Sequence, residues 1–207
     1  MPPRLHWSGG IFFDPMTTPD SGPSRWEKQE SSLLARTRIF DLDQIRYRHP
    51  KRGAARDFVV IQPPDWVNVL ALTSAHELVL VRQFRFGIDD FALEIPGGMI
   101  DAGESPLVAG ARELLEETGY EGGEIKSLGT VRPNPAIQSN RCHIALATDV
   151  DLVGPTSWDT DEEIEVFLRP VEEVLQLARS GGITHSLVLN ALFLFEPWWR
   201  EMRARGV

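Results

Sequence analysis

What this sequence has little of narrows it first. Its 207 residues contain one cysteine, Cys142, which excludes an intrachain disulfide framework and fits a reducing compartment. Long hydrophobic runs are missing. The greasiest stretch, Leu187 to Phe195, contains Asn190 and ends at Glu196-Pro197, far short of the roughly 20 residues that a membrane span needs. The start, Met1-Pro2-Pro3-Arg4, is not followed by an apolar run of signal-peptide length. Excess positive charge is missing too: 21 Lys and Arg face 30 Asp and Glu, a formal net charge of -9. That argues against a nucleic-acid binder held by bulk charge. The expectation is a cytoplasmic protein with neither a membrane nor a nucleic-acid partner.

What is there is ordinary globular material. Apolar residues make up 42% and charged residues 25%, with six Trp and ten Phe for packing. The length supports one full domain and a smaller appendage. Residues 1–24 carry Pro2, Pro3, Pro15, Pro19 and Pro23 with Gly9, Gly10 and Gly22, which predicts an extended arm. Residues 25–57 read as a small N-terminal antiparallel β unit, and 58–207 as the main domain. The charge divides along that line. Residues 1–57 hold 10 Lys and Arg against 7 Asp and Glu, and the remainder holds 11 against 23.

Alternation predicts a strand-like Ala35–Phe40, a basic turn over His49–Arg56 and a strand at Asp57–Ile61 ending before Pro63-Pro64. Val67–Thr73 and Glu77–Phe84, joined by Ser74-Ala75-His76, predict a β-hairpin. Phe91–Ile95 reads as a short strand closed by a tight Pro96-Gly97-Gly98 loop. Further strands are expected near Ile125–Arg132, Cys142–Thr148 and Ile164–Leu168, and helices over Val171–Arg179 and Thr184–Phe195. Between the strands lies one helix with clear start and stop signals. Ser105 is a favoured N-cap, Pro106 suits the first helical position, and Gly119 stops the helix. Leu107, Val108, Ala111, Leu114 and Leu115 form its apolar face. Many strands with few helices predict an α+β mixed sheet flanked by helices.

The opposite face of that helix carries Arg112, Glu113, Glu116 and Glu117. Carboxylates three and four residues apart are neighbours on a helix and repel, and the C-terminal half of a helix disfavours negative charge. A hard divalent cation would offset both effects; the plain alternative is a solvated acidic face. The surroundings favour the cation. Gly98, five residues, Glu104, seven residues and then Arg112-Glu113-Leu114-Leu115-Glu116-Glu117-Thr118-Gly119-Tyr120 resembles the Nudix box of the Nudix hydrolases. Every fixed position matches, and only the last is an aromatic Tyr120 in place of an aliphatic residue.

The resemblance implies an α/β/α sandwich with a mixed sheet, in which the box forms a loop–helix–loop. It also implies hydrolysis of a nucleoside diphosphate linked to another group, with Mg²⁺ or Mn²⁺. Carried over by position, Glu113, Glu116 and Glu117 with the backbone carbonyl of Gly97 would hold the metal. Arg112 would orient the glutamates by ion pairing, with Glu104 as its structural partner.

Flanking residues resemble the ADP-ribose pyrophosphatase group more closely. Val81-Arg82-Gln83-Phe84-Arg85 leads into Leu93-Glu94-Ile95-Pro96-Gly97-Gly98, and Pro135 lies 16 residues beyond Gly119. This implies Arg85, Glu94 and Pro135 at the substrate, with Arg85 on phosphate. It also implies a homodimer built through the N-terminal strands. Asn134–Arg141 departs from the loop of the best-known ADP-ribose enzymes, which leaves other nucleoside diphosphate sugars open.

The general base in that group is a glutamate well after the box. Here the acidic loop offers Glu162 and Glu163, and Glu163 is favoured because it directly precedes a strand. Trp26 and Phe40 are candidates for stacking the base. Trp198 and Trp199 read as packing residues, Cys142 as a buried structural thiol and His185 as a capping or packing residue. Two rival readings stand beside the enzyme: a non-catalytic nucleotide sensor on the same fold, and a hydrolase of RNA ends.

Overall fold

The computed structural model describes residues 22–158 and 163–206. Of the arm expected over residues 1–24 only the last three fall within that range, and Glu162 lies outside the described residues. The first three strands, β1 (Glu27–Arg36), β2 (Asp41–Arg48) and β3 (Ala55–Gln62), form a small sheet of their own in that order. The strand expected over Ala35–Phe40 is displaced. β1 ends at Arg36, and Thr37 folds the chain back by accepting the N–H of Phe40 and donating to its carbonyl. A threonine side chain competing for its own backbone breaks the alternation that predicted a strand.

The described residues divide into two compact units, one holding residues 22–32 and Gln44–Phe58, the other Leu33–Asp43 and the described residues after Phe58. In the smaller unit Trp26 packs edge-on against His49 and Phe58, at ring separations of 5.0 and 5.8 Å. The basic turn closes around buried His49, whose Nδ1 accepts the N–H groups of Lys51 and Arg52.

The larger unit adds β4 (Trp66–Leu72), β5 (Glu77–Arg85), β6 (Asp90–Glu94), β7 (Gly97–Met99), α1 (Pro106–Thr118) and β8 (Tyr120–Glu121). After these come β9 (Ile125–Val131), β10 (Cys142–Thr148), β11 (Asp151–Leu152), β12 (Ile164–Pro170), α2 (Val171–Ser180) and α3 (Ser186–Ala204). The main sheet runs β12-β5-β4-β10-β9, with β6 on β5 and β7 on β4, and a two-stranded β11-β8 pair stands apart. It is mixed: β10 runs parallel to β4 and antiparallel to β9.

Strand alternation assigns the layers. Val67, Val69 and Ala71 point to the α1 side with Ala109 and Leu114, whereas Leu70 and Leu72 point to the other face with Val174, Val188 and Phe195. Two helical layers on one sheet make the α/β/α sandwich, and the class is α+β with a small extra antiparallel sheet. Among the described residues no helix is long and apolar enough to cross a membrane. Cys142 is fully buried, and burial, then the nearby Asp65 carboxylate, push its thiol up to about 12.

Two local expectations change. Gly97-Gly98 is not a loop but part of β7, paired with Val67 and Asn68 of β4. The last helix does not stop at Phe195; it runs through Pro197 to Ala204. Proline costs the helix one hydrogen bond, but Trp199 lies buried and stacked on Phe195, and its indole N–H donates to Glu172. Tertiary packing outweighs the local break.

Candidate functional site

The site is organised around α1. Ser105 accepts the Val108 N–H, Pro106 fills the first position, and Gly119 closes the helix with φ 74° and a bond to the Leu115 carbonyl. A Cβ on Gly119 would lie 2.2 Å from the Gly154 carbonyl oxygen, so the helix end demands glycine for both backbone conformation and room. The segment after β11 seals the same end. Val153 N–H donates to Gly119, Ser157 N–H to Glu116, and the Trp158 indole to the Glu117 carbonyl at 2.9 Å. That segment leads directly into the acidic loop. Glu163 is exposed at the foot of β12.

Arg112 is the hub of the polar face. Its Nε and Nη2 donate to Glu104 at 3.1 and 3.0 Å, and its Nη1 is shared between Glu113 at 2.9 Å and Glu116 at 3.0 Å. Nη2 also reaches the Met99 carbonyl of β7. The bond to Glu104 is the largest influence raising the Arg112 pKa, and Arg112 in turn holds the Glu104 carboxyl below its ordinary range. Glu117 is buried and accepts the Gly97 N–H at 3.0 Å. Glu113 lies so close over β7 that a Cβ on Gly98 would sit 2.4 Å from its carboxylate oxygen.

The donor set suits a hard cation: three carboxylates on one helix face lie beside a glycine strand, and oxygen ligands of this kind are what such an ion takes. The cradle between Gly98 and Glu113 supports that fit, because any side chain there would fill it. In this structure Glu113 and Glu116 are turned to Arg112, and among the described residues no three His, Cys, Asp or Glu side chains form a ready cage.

On the other side of β7 lies a cavity of about 670 Å³ within the larger unit, and Gly97 and Gly98 form part of its wall. Ile39, Phe40, Trp66, Phe86 and Ile88 make it largely apolar. Its charged lining is Arg85, Glu94 and His185. Glu94 is 3% exposed and takes a two-pronged ion pair from Arg85, at 2.6 Å from Nε and 2.7 Å from Nη2. Planar fork-to-fork pairing of this kind is the strong form of the interaction. His185 Nε2 lies 3.8 Å from the second Glu94 oxygen.

The structure thus gathers Arg85, Glu94, Gly97, Arg112, Glu113, Glu116 and Glu117 on the two sides of one strand. Pro135 is exposed on the turn over Asn134–Gln138 and does not line the cavity; Gln138 of that turn does. Phe40 lines the cavity. Sequence reasoning missed Asn68, Gln138 and the wall role of Trp66, which come from separate segments with no local motif. It also missed Trp158, whose isolated indole gave no sign of a helix to cap. His185 was expected to cap or pack. It occupies the N-cap position of α3, but its side chain makes no capping bond.

Comparison with known proteins follows the same lines. A family model described as NUDIX domain matches residues 63–188. The chain is 31% identical over 132 residues to an ADP-ribose pyrophosphatase of Bacillus subtilis, covering 63% of this chain and 71% of that one. It is 31% identical over 177 residues to an ADP-sugar pyrophosphatase of Mus musculus, covering 81% and 78%. The crystal structure of an ADP compounds hydrolase superimposes with a TM-score of 0.77 at 22% identity, covering 87% of this chain and 97% of that one.

Proposed function

We propose, from the premise that this chain belongs to the NUDIX family, that it is a hydrolase cleaving the diphosphate bond of ADP-ribose or a related nucleoside diphosphate sugar. Water adds across the P–O–P linkage: one phosphorus gains the water oxygen, and the other phosphate leaves with the bridging oxygen. The products are a nucleoside monophosphate and a sugar phosphate. The observation that carries this reading is β7, a strand with the box carboxylates on one side and an Arg-bearing cavity of ligand size on the other.

Glu113, Glu116, Glu117 and the Gly97 carbonyl would hold Mg²⁺ or Mn²⁺. Bound there, the ion supplies charge neutralisation for the diphosphate and activation of water. Arg112 keeps Glu113 and Glu116 oriented. Arg85 binds phosphate with Glu94 behind it, and the apolar cavity walls hold the rest of the substrate. Glu163, or Glu162, takes the proton from the attacking water. Residues 25–57 serve as a dimerisation unit in a homodimer, 58–207 as the hydrolase domain. Pro135 flanks the substrate from the turn that also carries Gln138 of the cavity wall. The free, buried Cys142 supports a cytoplasmic setting.

The test is a panel of nucleotide sugars, dinucleotides and capped RNA, each with Mg²⁺, Mn²⁺ or chelator, with products separated and identified. Metal-dependent release of nucleoside monophosphate from a nucleotide sugar is expected. Turnover of capped RNA alone would overturn the substrate reading, and binding without turnover throughout would favour a sensor.

A further inference from the structure

The cavity contains a basic side chain that the hydrolase reading leaves unused. One buried carboxylate, Glu94, has two basic neighbours: Arg85 in a close two-pronged pair and His185 at 3.8 Å. The second contact lies within ion-pair reach but beyond hydrogen-bond reach. These are the only titratable groups among the residues lining the cavity. Arg85 is 42% exposed at its side chain and so has room to move, whereas Glu94 is held on β6 with 3% exposed. If Arg85 turns to an incoming phosphate, Glu94 is left as a buried, unpaired carboxylate, an arrangement costing several kcal/mol. Something must take over its charge.

We propose that His185 is the reserve counter-charge: as a diphosphate draws Arg85 away, His185 takes up a solvent proton at Nε2 and bonds Glu94, coupling ligand capture to proton uptake. This rests on the reading of the cavity as the diphosphate site. His185 Nδ1 is buried and makes no hydrogen bond, and in the neutral ring that carries its proton there, Nε2, the atom 3.8 Å from Glu94, is the one left to take up another. Histidine is also the side chain that changes charge near neutral pH without a large environmental push. The role is one of positioning: His185 stabilises the arrangement in which Arg85 is available, without itself touching the reacting atoms.

The first test needs no ligand. Arg85→Gln imitates departure of the guanidinium, and the His185 imidazole is followed by NMR in the full chain, its signal identified by its loss in His185→Gln. His185 is expected to stay protonated to a pH higher by about one unit or more in Arg85→Gln than in the unmodified chain, the effect of one unshielded carboxylate. The Arg85→Gln/Glu94→Gln double variant should return it to the starting behaviour. Identical titration in all three overturns the proposal. Should Arg85→Gln fold poorly, its thermal stability answers the same question. Its deficit should be smaller at about pH 6 than at about pH 8, where histidine has lost its proton, and an equal deficit at both overturns the proposal.

The second test counts protons. ADP-ribose, whose two phosphates have no titration near neutrality, is bound calorimetrically in chelator at about pH 7 in buffers of different ionisation heat. About half a proton should be taken up by the unmodified chain, as a rise of about one unit from the ordinary histidine range requires, and close to none by His185→Gln. Binding without uptake overturns the proposal. An unmodified chain that neither binds nor hydrolyses ADP-ribose sinks the substrate reading instead, because the ligand-free titration stands apart from it.

Discussion

Two regions of this molecule hold charge in opposite ways. On α1 one arginine serves three carboxylates, Glu104, Glu113 and Glu116, all partly open to solvent. In the cavity one nearly buried carboxylate, Glu94, is served by Arg85 with His185 in reach. The helix side is rich in negative charge and tolerates the loss of a partner, since water and neighbouring groups screen what remains. The cavity side is balanced and cannot. On the proposed reading the helix therefore accepts positive charge, and the cavity releases one of its own toward an anion.

The largest expected effect breaks the helix side at its buried member. Glu117→Gln should remove nearly all turnover, beyond the roughly 100-fold typical of groups that only orient a metal ligand, while the melting temperature stays close to that of the unmodified chain. Retained turnover would remove Glu117 from the metal site. Next comes the acidic loop: Glu163→Gln should lower kcat by about 100-fold or more, the scale of a lost general base, and Glu162→Gln by much less. Equal rates would leave the base unassigned.

Stability sets the two regions directly against each other. Arg85→Gln should cost about 3 kcal/mol in denaturant unfolding, the lower end for breaking a buried pair because the arginine itself is half-exposed. Arg112→Gln should cost less despite ending more hydrogen bonds. The reverse ranking would break the contrast. The smallest effect is on acidification. Arg112 lowers the Glu104 pKa in the folded chain, so the contribution of Glu104 is present above the ordinary carboxylate range. It is lost as pH falls through the lowered folded value. Unfolding of Glu104→Gln should accordingly be less sensitive to pH in that acidic window than that of the unmodified chain.

How much of this was legible in the residues depended on how local each signal was. The cap and stop of α1 lie within a few turns of chain, and the structure places that helix between Ser105 and Gly119 as its sequence predicts, although Val108 and Ala111 of the expected apolar face are exposed and Ala109 and Gly110 are buried beside Leu114 in their place. Runs of β-branched and apolar residues likewise placed β4 and β5. The failures came where distant chain decided the outcome. Gly97 and Gly98 read as a loop because glycine is a turn residue, yet β4 recruits them as a strand. Pro197 read as a stop, yet the packing of Trp199 carries α3 past it. The box carboxylates were visible as a motif, but their relation to the cavity was not. Asn68, Gln138 and His185 reach it from three separate segments, and no spacing within one segment encodes that meeting.

The closeness of Glu113 to Gly98 has one more consequence. A side chain added at Gly98 would meet only the movable end of Glu113, so the fold accommodates it by turning that carboxylate away, and what is lost is the carboxylate's place over β7. Random mutagenesis should therefore find Gly98 replaceable under selection for folding alone but not under selection for activity, whereas at Gly97, where a Cβ would lie 2.2 Å from the Val67 carbonyl oxygen, folding alone should enforce glycine. If the proposed function holds, the cavity's apolar lining is where substrate preference can change while the box carboxylates stay as they are.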